Sequence, residues 1–182
     1  MNNKNNINYK VALGGVISAL CLMFMFFTAL SPVLYIVMPM LAGLMLMVMV
    51  FETDTKWAVT TYFSVSILSI LITFNKEAVL MFIIFFGYYP VLKQYLDKIR
   101  PGFFRRCIKF ILFNACIIAD FFITIKIFGI TDLIDEMNDY GKYGLYILLG
   151  MTDLTFCTYD IALANCSQLY LKWFRPKILC KK

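Results

Sequence analysis

Long apolar stretches separated by short polar ones dominate this chain. A membrane-spanning helix needs about 20 mostly apolar residues, each adding about 1.5 Å of length. Six segments approach that length, at residues 11–30, 33–51, 57–74, 78–92, 107–130 and 143–171. None of them alternates strictly between apolar and polar positions, as a transmembrane barrel strand does. The pattern therefore predicts an all-α fold, a polytopic integral membrane bundle of six transmembrane helices that forms one transmembrane domain over residues 1–182.

Charged residues in the connections predict on which side of the membrane each one lies. Basic residues crowd the connection at 93–109 and the tail after residue 171, whereas the connection at 131–142 is mostly acidic. Basic connections stay on the cytoplasmic side, so the acidic one faces outward and both termini are short cytoplasmic tails. We expect this topology in the plasma membrane. The N-terminus is cytoplasmic only if the segment at 78–92 crosses the membrane. Because that segment is short, a re-entrant or surface helix is the alternative.

Composition excludes several classes of protein. The chain is 62% hydrophobic and 15% charged, against about 45–50% and about 25% in soluble domains. It is therefore not a soluble globular protein, a disordered chain or a coiled coil. The apolar run at 11–30 is longer than a cleaved signal requires, so we expect an uncleaved first helix.

Candidate chemistry is sparse. The chain has no histidine and no C-x-x-C pair among its 6 cysteines, so we expect neither a metal site nor a disulfide framework. Nucleotide-binding and hydrolase motifs are absent from the sequence, which predicts no enzyme activity and no cofactor. The net charge of +6 comes from basic residues beside apolar runs, a pattern that favours membrane lipid over nucleic acid as the partner.

Four charged residues fall inside predicted membrane helices and outside the basic connection at 93–109: Asp120, Lys126, Asp153 and Asp160. An ionised group in hydrocarbon costs at least about 2.5 kcal/mol and usually faces the protein interior. Asp153 and Asp160 are seven residues apart and share one helix face. These residues predict a polar substrate-binding pocket that opens toward the outer face. The alternative is that they pair with one another or with polar neighbours and only hold the helices together.

Two further residues are candidates for the same pocket. Asn75 lies in an outer connection, and Tyr146 lies near the outer end of the last segment. An amide can bind the polar edge of a solute, and an aromatic ring can stack on a flat one. Tyrosines at this level also form the ordinary aromatic belt of membrane proteins, which is the alternative for Tyr146.

Small residues recur at four-residue spacing in the first segment. Gly14 precedes Ser18, and Gly15 precedes Ala19, by four positions. Such spacing lets two helix backbones approach closely within a membrane. It predicts a face for docking a partner protein. The alternative is packing against the chain's own third helix, which offers the small polar residues Thr60, Ser64, Ser66 and Ser69.

The layout and the first segment together resemble the substrate-binding (S) component of energy-coupling-factor (ECF) vitamin transporters. Gly15 and Ala19 stand at the positions of that family's A-x-x-x-A docking pattern, with Gly14 and Ser18 beside them. The stretches at 86–93 and 109–114 are also similar to a set of uncharacterised bacterial six-span membrane proteins. The resemblance implies binding of a small water-soluble nutrient from outside. A separate transmembrane coupling subunit and two ATPases would then drive its import.

The sequence accordingly predicts a membrane-embedded solute-binding subunit of a bacterial nutrient importer. The main alternative is a non-transporting accessory or assembly protein of the bacterial envelope, which would bind partners but no solute. A stand-alone ion-coupled carrier or a membrane enzyme is a third hypothesis, which ion-dependent uptake by vesicles containing this chain alone would support.

Overall fold

The computed structural model describes residues 7–31, 33–98, 102–124, 126 and 144–174. Every regular element within these ranges is a helix. The helices are α1 (Ile7–Phe27), α2 (Leu34–Glu52), α3 (Thr55–Ile72), α4 (Lys76–Met81), α5 (Tyr89–Leu96), α6 (Gly102–Ile123) and α7 (Gly144–Leu169). π-Helical turns follow α4 at Phe82–Phe86 and α7 at Tyr170–Phe174. The prediction of an all-α fold is therefore confirmed for the described residues.

Within the described ranges, four helical stretches are long and apolar enough to cross a membrane. They are Ile7–Phe27, Leu34–Glu52, Thr55–Ile72 and Lys76–Leu96. Large apolar side chains cover much of their outer surface, including those of Val16, Phe63 and Leu71, as suits a surface in contact with lipid. The chain is thus an α-helical membrane protein. A full crossing by α6 and α7, which correspond to the fifth and sixth predicted segments, stays a prediction.

The fourth helical stretch is longer than the apolar segment at 78–92 that the sequence predicts. Lys76–Leu96 contains 21 residues, which span about 31 Å when helical. A π-helical turn interrupts it, because the Gly87 amide donates to the Phe82 carbonyl at 2.7 Å instead of to a carbonyl four residues back. The Tyr62 hydroxyl of α3 donates to the Ile83 carbonyl at 2.7 Å. This bond satisfies a backbone acceptor that the π-helical turn leaves open, as lipid requires.

Contacts divide the chain into two compact units, and each is described by itself. The first unit comprises Met1–Tyr95 and Ala162–Lys182, and the second comprises Leu96–Ile161. In the first unit α1 packs against α2 and α3. Cys21 of α1 is fully buried and donates its thiol to the Ala42 carbonyl of α2 at 3.3 Å.

Several chain segments meet at one end of the first unit. Lys10, at the start of α1, pairs with Asp54 in the turn between α2 and α3. The Tyr95 hydroxyl donates to the Thr55 hydroxyl at 3.3 Å, so the fourth stretch ends here too. The ring of Tyr170, just after α7, stacks on Phe51 with centroids 6.2 Å apart. We call this the Lys10 end of the first unit.

Candidate functional site

The second unit contains all four charged residues predicted to act inside the membrane. On α6, Lys109, Phe113 and Asp120 are the buried residues. Their spacing of four and then seven positions puts them on one face of the helix. Ile111, Ile118 and Phe122 are exposed. Helix α6 is therefore amphipathic, and its buried face carries charge.

That face packs on α7 through aromatic rings and polar pairs. Phe113 stacks on Phe156 with centroids 4.6 Å apart and planes at 14°. Asn114 donates to the Asp153 carboxylate at 3.0 Å, and Lys109 donates to the Asp160 carboxylate at 3.2 Å. Residue numbers fall along α7 as they rise along α6, so the two helices run antiparallel.

Lys109 lies between two carboxylates. Its ammonium group is 2.8 Å from Asp97 and 3.2 Å from Asp160, and only 6% of its side chain is exposed. Arg105 reaches the same Asp97 carboxylate at 4.0 Å. A lysine this deeply buried depends on its partners, because an uncompensated charge away from water is expensive. The arrangement links the turn after α5 to both α6 and α7.

Asp153 lies further along the same interface. Its carboxylate accepts from Asn114, whose amide also donates to the Phe110 carbonyl of its own helix at 3.0 Å. Asp153 and Asp160 both bond to side chains of α6, as their seven-residue spacing predicts. The amide fixes the position of the Asp153 carboxylate without neutralising its charge.

Asp120 lies closer to the far end of α6. It is buried on the helix face that carries Lys109 and Phe113, and it lies six residues, or about 9 Å, beyond Asn114. We call the row formed by Lys109, Asn114, Asp120, Asp153 and Asp160 the polar seam. Its α6 members extend over about 17 Å of helix, more than half the thickness of a bilayer core.

The other predicted pocket residues lie elsewhere. Lys126 is exposed, and its ammonium group lies over the ring of Phe122 in α6, 5.4 Å from the centroid. Tyr146 is 71% exposed. Asn75 belongs to the first unit, where its side chain accepts from the Ala78 amide and caps α4. A role in solute binding stays a prediction for all three.

Two members of the seam, Lys109 and Asn114, are not among the site residues that the sequence predicts. Lys109 is the last residue of the basic connection at 93–109. A lysine there usually holds a loop on the cytoplasmic side of the membrane. A signal for it was present, because it precedes Phe113 and Asp120 by four and eleven positions on one helix face. Asn114 offered no comparable signal in the sequence. Within the described part of the chain, no group of three or more Cys, Asp or Glu is arranged to hold a metal ion.

The two glycines of α1 have different surroundings. A methyl group on Gly14 would lie 3.4 Å from Met49 of α2 and 3.4 Å from Thr61 of α3. At Gly15 it would meet no atom of the described residues within 4 Å, and Ala19 one turn later is exposed. Gly14 therefore serves packing within the chain, whereas Gly15 and Ala19 form an open, small-residue surface.

Comparison with known proteins adds no relative. No protein-family model, no curated protein and no solved structure matches this chain. The resemblance to ECF S components therefore stays a prediction from the sequence.

Proposed function

We propose that this chain is a membrane-embedded solute-binding subunit of an importer. The polar seam between α6 and α7 carries the proposal. Two apolar helix faces would pack in a membrane at lower cost, since each ionised group costs at least about 2.5 kcal/mol there. The buried Asp120 and the half-buried Asp153 are the groups assigned to the solute.

The chemistry of these two residues suggests the kind of solute. Carboxylates accept hydrogen bonds and attract positive charge, so the solute presents donors such as ammonium, amide or hydroxyl groups. Asp160 is assigned a different role, because it is paired with Lys109. With no nucleotide-binding motif in the sequence, the energy for import would come from separate coupling and ATPase subunits.

Replacing Asp120 or Asp153 with asparagine is expected to abolish solute binding while leaving the fold intact. The substitution removes the charge but keeps the shape, and an asparagine at 153 still offers Asn114 an acceptor. The measurement is mass spectrometry of small molecules that copurify with the chain from its native membrane. Thr158→Ala is the matched control, since Thr158 lies on α7, is exposed and donates to the Leu154 carbonyl of its own helix. Retention of the same molecule by both asparagine variants contradicts the assignment.

The second candidate is a non-transporting accessory protein, and the open surface at Gly15 and Ala19 favours it. Such a surface suits docking on another membrane helix. Under this alternative the polar seam only joins α6 to α7. Partner proteins would then copurify with the chain, and no solute would.

Replacing Gly15 with leucine is expected to abolish copurification of partner proteins without unfolding the chain. Within the described ranges, nothing lies within 4 Å of a methyl group built at Gly15, so the added bulk lies on the open surface and blocks only close approach by a partner helix. Val16→Leu is the control, because Val16 is exposed on the same helix and is already bulky. Affinity purification followed by proteomics measures the result. Loss of coupling and ATPase subunits supports the importer, whereas recovery of the same partners with Gly15→Leu contradicts docking at this surface.

A further inference from the structure

A second polar surface lies at the end of α7, within the first unit. A pocket of about 580 Å³ is lined by Asn165, Gln168, Leu169, Lys172 and Trp173. All five residues are exposed, and their spacing follows one side of the helical segment. We call this surface the Trp173 pocket.

We infer that the Trp173 pocket binds the headgroup of an anionic phospholipid. Lys172 supplies a positive charge, and no Asp or Glu is among the described residues that line the pocket. The amides of Asn165 and Gln168 donate hydrogen bonds of the kind that phosphate oxygens accept. Leu169 and Trp173 supply apolar surface for the glycerol backbone and the first methylenes of the acyl chains.

The position of the pocket fits this ligand. Tyr170, between Leu169 and Lys172, stacks on Phe51 at the Lys10 end of the first unit. The distribution of basic connections predicts that this end is cytoplasmic, and the cytoplasmic leaflet is the one that carries anionic lipids. Tryptophan is enriched at the headgroup level of membranes, and Trp173 is 57% exposed.

A lipid ligand would also give the amides at these positions hydrogen-bond partners at the membrane boundary. Asn165 and Gln168 are exposed on a helix whose neighbouring positions Ile161 and Leu169 are exposed and apolar. At the boundary between hydrocarbon and headgroups, an amide without hydrogen-bond partners is costly. A lipid phosphate drawn toward Lys172 satisfies these donors.

A second polar surface at the Lys10 end serves as a comparison for the Trp173 pocket. The polar residues that line a groove of about 920 Å³ are Thr53, Asp54, Thr55, Lys56, Gln94 and Tyr95. Its carboxylate, Asp54, pairs with Lys10, and the groove is built from other helices than the Trp173 pocket. Lys56 is exposed, which makes it a matched control at the Lys10 end.

The test uses the full chain reconstituted in vesicles of phosphatidylglycerol and phosphatidylcholine in equal amounts. After mild detergent extraction, native mass spectrometry counts the lipids that stay bound. We expect phosphatidylglycerol to dominate. Lys172→Gln is expected to lower its retention about fivefold, the factor for one basic residue at an anionic surface. Lys56→Gln is expected to leave it unchanged.

Further measurements distinguish a lipid in the Trp173 pocket from free phosphate or a protein. The double variant Asn165→Leu, Gln168→Leu is expected to lose phosphatidylglycerol as well, because the headgroup then lacks its amide donors. Added inorganic phosphate is expected not to displace the lipid. Equal loss with Lys56→Gln, displacement by free phosphate, or a copurifying protein that replaces the lipid at this surface overturns the inference. It rests on the chain's placement in a membrane and not on solute binding, so its failure leaves the proposed function standing.

Discussion

Replacing Lys109 with methionine is expected to destabilise the chain by about 3 kcal/mol, at the lower end of the cost of breaking a buried ion pair. The substitution keeps most of the aliphatic volume but removes the ammonium group that lies 2.8 Å from Asp97 and 3.2 Å from Asp160. Asp97 is 41% exposed and can turn toward water, whereas Asp160 is only 27% exposed. The loss therefore comes mainly from the Asp160 carboxylate, which is left without its cation. Thermal unfolding in detergent micelles, followed by circular dichroism, measures the change.

A compensating variant makes this prediction specific. Replacing both members of a buried ion pair with apolar residues often costs little, so Lys109→Met with Asp160→Leu is expected to recover most of the stability. Arg106→Met is the matched control, because Arg106 is an exposed basic residue on the same helix. It is expected to change stability by less than about 0.5 kcal/mol. An unfolding temperature for Lys109→Met equal to that of Arg106→Met would show that the ammonium group does not join α6 to α7.

Replacing Gly87 with alanine is expected to destabilise the first unit by about 1–3 kcal/mol, the usual range for overpacking. A methyl group at Gly87 would lie 2.6 Å and 2.7 Å from ring carbons of Tyr62 and 2.9 Å from the Phe82 carbonyl oxygen. Neither neighbour can move cheaply. The Tyr62 hydroxyl is held by Ile83 at 2.7 Å, and the Phe82 oxygen accepts the Gly87 amide itself at 2.7 Å.

Gly15→Ala is the matched control for this prediction. None of the described residues comes within 4 Å of a methyl group added to Gly15. Alanine also favours a helix over glycine by roughly 0.5–1 kcal/mol, so this variant is expected to be as stable as the natural chain or slightly more stable. The unfolding temperatures of the two variants in the same detergent give the comparison. Equal temperatures would mean that α3 and the fourth stretch are not in close contact at Gly87.

Some residues of the candidate site were easier to predict from the sequence than others. Asp120, Asp153 and Asp160 stand out because charge within an apolar run is costly. The seven-residue spacing of the two α7 aspartates corresponds to two helical turns, so a regular helix necessarily puts them on one face. Their partners were harder to predict, because a lysine or an asparagine near a helix end has several ordinary roles. The position of Lys109 beside a basic connection indicates a membrane anchor, yet Lys109 is buried among carboxylates.

The sequence by itself determined that the described chain is helical and suited to a membrane. Hydrophobicity and length are sums over neighbouring residues, so they can be read without knowledge of the fold. The tertiary structure decided which helices touch, that Gly14 is packed while Gly15 is open, and that Asp160 pairs with Lys109, 51 positions away. Such pairings depend on how one helix is rotated and displaced against another. That geometry arises from the packing of all their side chains together, and no local pattern encodes it.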